Sequence, residues 1–167
     1  MSMLQTLENT PLAVWVREST DIYAYTLILT VHAVGLAIVV GFSTAVALRL
    51  LGFAKGIPLA AARDVFPIVV FGFCINAISG TLLFIAEPTK MVAMPAFWGK
   101  LLLIACGMVV AWLLQKRVFS DQAAIDANRV PAVARGLAWA SLAFWYLALI
   151  VGRLTGYPDL VKSYLGI

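Results

Sequence analysis

The chain is ordered by where charge is missing. Ile22 to Leu48 runs for 27 residues without Asp, Glu, Lys or Arg, and Val65 to Ala86 for 22. Leu101 to Leu114 gives 14, and the uncharged stretch Met91 to Gly99 precedes it across Lys100. Gly136 to Gly152 gives 17 between Arg135 and Arg153. A helix crossing hydrocarbon needs about 17–25 apolar residues. The lysine at position 100 can carry its charge outward along its own stem, so the third span starts near Ala96. The pattern predicts an all-α, transmembrane four-helix bundle, with helices over 22–50, 65–86, 96–115 and 136–154 of a single integral membrane domain, 1–167. The runs are too long for barrel strands, and isolated strands leave backbone groups unsatisfied in lipid.

The connections fit this division. Gly52, Gly56 and Pro58 suit a short turn after the first helix. Pro67 falls in the first turns of the second, where its missing N–H costs least. Pro88 closes the second helix and Pro95 precedes the third. Ser120 or Asp121 can cap a short helix in the connection from Lys116 to Arg135. Residues 11–19, with Trp15 and Val16 beside charges, suit a segment lying along the interface. The first twenty residues include Glu8, Arg17 and Glu18 and lack the basic start and short apolar core of a signal peptide. The first apolar run is therefore expected to be kept as a helix.

Composition sharpens the picture. Hydrophobic residues make up 63% and charged residues 12%, against about 45–50% and about 25% in soluble domains. Mean hydropathy is +0.98. The net charge of +4 comes from basic residues between apolar runs, so it reads as a topology signal and not as a nucleic-acid footprint. Arg49, Lys55, Arg63, Lys116, Arg117, Arg129 and Arg135 fall on one side. Arg17, Lys90, Lys100, Arg153 and Lys162 fall on the other. Seven against five places both termini on the periplasmic side. Tyr23, Tyr25, Phe97, Trp98, Tyr157 and Tyr164 gather at that same boundary as an aromatic belt.

Candidate chemistry is sparse. His32 is the sole histidine and lies in the first span, where a polar side chain should face protein and not lipid. Gly35, one turn on, leaves room beside the imidazole for a flat cofactor such as haem or for a neighbouring helix. Three roles stay open for His32: helix packing, haem or metal ligation, and proton or substrate handling. One histidine cannot supply both axial ligands of a bis-histidine haem b, so such a site would need two copies of the chain. Asn76, with Ser79 and Gly80 one turn on, is a plausible partner for His32 or for a neighbouring chain. Tyr25, Asn76, Glu87, Lys100 and Arg153 are candidates for a polar cavity, with Glu87 pairing Lys100 or Arg153. Met91 and Met94 are spaced to meet a soft metal or to fill the interface. Cys74 and Cys106 suggest neither a disulfide framework nor a zinc site. Ala37-x-x-x-Gly41, Gly107-x-x-x-Ala111 and Gly136-x-x-x-Ala140 permit close helix approach. Trp139 and Trp145 are expected to face lipid or a partner subunit. No nucleotide loop, nucleophile elbow, zinc-protease motif or haem-attachment motif occurs.

Val31-His32-Ala33-Val34-Gly35-Leu36-Ala37, Phe97-Trp98-Gly99-Lys100 and Val151-Gly152-Arg153-Leu154 together resemble a family of small bacterial four-helix membrane proteins of unknown function. His32 and Gly35 also bear a faint likeness to the membrane domain of copper-resistance protein D and to b-type cytochrome bundles. The resemblance implies a bacterial inner membrane and four helices, and it supplies no activity. The sequence alone thus suggests a structural or accessory inner-membrane subunit, serving a redox or metal-handling system, that forms homo-oligomers or joins other membrane subunits. The alternatives are a haem b electron-transfer protein with His32 from two subunits, and a small transporter or channel.

Overall fold

The computed structural model describes residues 3–157. Lys162 and Tyr164, assigned above to one boundary, lie outside the described residues. Among the described residues the chain forms helices α1 (Met3–Glu8), α2 (Pro11–Glu18), α3 (Tyr25–Leu51), α4 (Leu59–Asp64), α5 (Phe66–Ala86), α6 (Pro88–Val92), α7 (Pro95–Arg117), α8 (Gln122–Asp126) and α9 (Ala132–Leu154). Four spans are long and apolar enough to cross a membrane: Tyr25–Leu51, Leu59–Ala86, Pro95–Arg117 and Ala132–Leu154. The fold is all-α, consistent with a multi-span membrane protein.

Local chemistry sets the ends. The α3 helix begins three residues later than the charge-free run, because Asp21 to Ala24 form a turn closed by the Ala24 N–H on the Asp21 carbonyl (3.1 Å). It stops at Gly52, which takes the left-handed conformation (φ 93°) and lets Phe53 N–H reach the Leu48 carbonyl at 3.0 Å. A glycine carries this conformation without a Cβ clash. Pro67 and Pro95 sit in the first turns of α5 and α7. α9 starts four residues before the charge-free run, since Arg135 is accommodated on its exposed face. Asp121 caps α8, accepting from the Ala124 N–H at 3.2 Å.

Packing follows two antiparallel hairpins, α3 on α5 and α7 on α9, joined through α3 against α9. Side chains bridge α5 and α7 at their two ends. Phe66 meets Phe119, just beyond α7, at 5.3 Å, and Phe84 stacks on Phe97 at 5.5 Å. One end of the core is built from Val46, Leu50, Leu59, Leu114, Val118 and Ala138, and the middle from Val39, Val40, Val69 and Trp145. Trp145 was expected to face lipid or a partner and instead is buried, 2% exposed. Gly107 on α7 opens the notch that receives it: a Cβ there would stand 3.0 Å from the indole. Trp139 does lie outward.

α2 docks on the end of α5. Arg17 donates to the Ala86 carbonyl at 2.9 Å, satisfying a C-terminal acceptor that the helix itself leaves open. Its hydrogen bond to Glu18, together with that carboxylate's charge, holds the guanidinium pKa above its ordinary value.

Candidate functional site

The intramembrane polar residues meet where α3 crosses α5. His32 Nδ1 lies 3.1 Å from the backbone carbonyl oxygen of Asn76 and 3.1 Å from Ser79 Oγ. Ser79 Oγ spends its own proton on the Ile75 carbonyl, 2.7 Å away. A carbonyl can only accept, so Nδ1 carries the ring hydrogen and donates it to Asn76. Nε2 is then the nitrogen with a lone pair, and it makes no hydrogen bond among the described residues. Asn76 answers with its side chain: Nδ2 donates to the His32 carbonyl at 2.8 Å. The two residues clamp each other across the seam.

Two glycines make this approach possible. A Cβ on Gly35 would stand 2.9 Å from the Asn76 nitrogen and 3.0 Å from the Gly72 carbonyl oxygen. One on Gly72 would stand 2.6 Å from Ile38 Cγ2. The space beside the imidazole that Gly35 leaves is occupied by the backbone of α5. The imidazole edge rests on Gly80, where a Cβ would come within 3.0 Å of Cε1. In lipid, helices gain nothing by hiding apolar surface from each other, so close van der Waals contact and hydrogen bonds must hold them. This seam has both.

The imidazole lies off the centre of its span. His32 lies six residues from the midpoint of α3, about 9 Å toward the end that carries α1 and α2. Asn76 is at the middle of α5.

The remaining candidates make no hydrogen bond to this pair among the described residues. Lys100 lays its stem over Gly152, with Cδ 3.4 Å and Cε 3.5 Å from the position of a Cβ there. Its ammonium makes no ion pair or hydrogen bond among the described residues. Glu87, expected to pair with Lys100 or Arg153, instead receives Lys90 Nζ at 3.0 Å, because both sit on the same turn at the start of α6. Arg153 donates to Tyr157 Oη at 3.0 Å. Tyr25 is exposed and stands apart from the seam. Among the described residues no group of three or more His, Cys, Asp or Glu side chains is placed to hold a metal ion.

Two cavities lie elsewhere. A void of about 10 Å³ between Ser43, Phe66 and Ser141 sits inside the bundle. A larger one, about 590 Å³, opens at the far end beside Arg49, Lys55, Asn128 and Arg135. Neither is lined by His32 or Asn76. In the sequence Arg49 reads only as a topology charge, and Asn128 belongs to no chemical motif. An asparagine three residues before a proline and just past a capped alanine-rich turn was the available signal for Asn128.

No known protein family, curated protein or solved structure matches the chain.

Proposed function

We propose that the protein is a structural or accessory subunit of an inner-membrane assembly, serving a redox or metal-handling system, with both termini periplasmic. One observation carries this reading. The imidazole and amide in these spans each donate to the other residue's backbone carbonyl, holding α3 to α5, while aromatic side chains such as Trp112, Trp139 and Tyr146 face outward. A rigid hairpin with an aromatic exterior suits a part that supports neighbours. The test is native electrophoresis of gently solubilised host membranes, with the chain at its natural level. It should migrate in an assembly well above its own 18.0 kDa that contains other chains. Migration of the whole population as a lone chain overturns the reading.

A second reading is favoured by the ring's second nitrogen. Metal-ligating histidines commonly donate one N–H to a carbonyl, which fixes the tautomer and frees the other nitrogen. His32 meets that condition through Asn76. In this reading His32 from each of two copies holds a haem b, which supplies one-electron chemistry when bound. The purified protein would show a Soret band lost in His32→Ala. A colourless, iron-free protein excludes it. The transport reading needs a polar cavity around His32 and Asn76, and the two cavities described lie elsewhere.

A further inference from the structure

The end of the bundle remote from His32 holds a charge that the helix packing does not explain. Arg49, in the last turn of α3, is 4% exposed. Its Nε donates to the Ile57 carbonyl and its Nη2 to Asn128 Oδ1 at 2.6 Å. Both acceptors are neutral. A guanidinium has five N–H donors, and the other three find no acceptor among the described residues. A buried cation without a counter-charge is costly. Topology bias accounts for basic residues at this end, but it does not ask that one of them be buried.

Arg49 is also one wall of the cavity of about 590 Å³, together with Lys55 and Arg135. The ion pairs of the described residues involve Arg17, Arg63 and Lys90, so these three cations share the cavity with no carboxylate. The backbone aims them. Left-handed Gly52 turns the chain so that Lys55 folds back, its Cε 3.4 Å from where a Cβ at 52 would stand. Asn128, itself left-handed (φ 52°), holds Arg49 and the Leu59 N–H (3.0 Å) with one oxygen. The 23-residue helix α9 begins at Ala132 on the same wall, and its first N–H groups lack helical acceptors.

We propose that this cavity binds a phosphate group. An arginine fork with spare donors, two further cations and a helix start form a recognition set for a phosphate oxyanion. The cavity sits at the end of the spanning helices, where a phospholipid headgroup lies. A free phosphate presents the same chemistry. This inference is independent of the role given to His32.

The test is native mass spectrometry of the full chain in detergent, titrated separately with phosphatidylglycerol, phosphatidylethanolamine and inorganic phosphate. Phosphatidylglycerol should be retained over phosphatidylethanolamine. Each cation removed should weaken it about fivefold, as measured in Lys55→Gln, Arg135→Gln and their double variant. Those side chains do not hold the Arg49–Asn128 tie, so the variants should stay folded, and unchanged melting verifies this. Arg49→Gln should abolish binding, although it also cuts the tie. Inorganic phosphate that displaces the lipid and is itself lost in the double variant assigns the cavity to free phosphate and still upholds phosphate recognition. Equal retention of the two lipids, unaltered in the double variant and with no phosphate bound, overturns the proposal.

Discussion

Between α3 and α5 the backbones nearly touch; between α7 and α9 an indole and a lysine stem fill the gap. The first seam has glycine against backbone at Gly35 and against the Ile38 side chain at Gly72, with His32 and Asn76 bonded across it. The second has a bulky group set into a notch, Trp145 over Gly107 and Lys100 over Gly152. Both solve the same problem, attraction between helices in an apolar solvent, but they tolerate change differently. A backbone cannot rotate out of the way. A side chain can.

That difference sets the order of three expected losses, each read as a shift in the unfolding midpoint during denaturing-detergent titration. Gly35→Leu should be the most severe, about 3 kcal/mol or more, because α5 itself must move. Wild-type stability in this variant would mean that the backbone contact does not hold the hairpin. Gly107→Val should cost about 1–2 kcal/mol, since the Trp145 indole can shift. A loss equal to that of Gly35→Leu would erase the contrast between the seams. Asn76→Leu should cost the least, about 1 kcal/mol. The imidazole hydrogen goes to the backbone carbonyl of residue 76, which leucine keeps, so only the amide bond to the His32 carbonyl is removed. A much larger loss would show that the side chain does more than bridge.

The spanning helices were legible because hydrocarbon tolerates so little charge: the runs from Ile22 and Val65 mark α3 and α5 to within a few residues. The His32–Asn76 meeting was legible too, since two polar groups at depth in neighbouring spans seek each other. What stayed hidden was facing. A span apolar on every side carries little record of which side looks inward, and so Trp145 was turned the wrong way. Glu87 was misassigned for another reason: the first turn of α6 brings Lys90, three residues on, within reach. Arg49 and Asn128 are 79 positions apart, and a bond over that separation leaves no trace in local pattern.

Asn128 has a mechanical consequence. Its one oxygen fastens the end of α3 and the start of α4, in the first hairpin, to the connection between α7 and α9 in the second. The halves of the molecule are therefore buckled at this rim as well as pressed together along their lengths. A force that pries one connection loose is passed straight to the other, so this rim should yield as a unit.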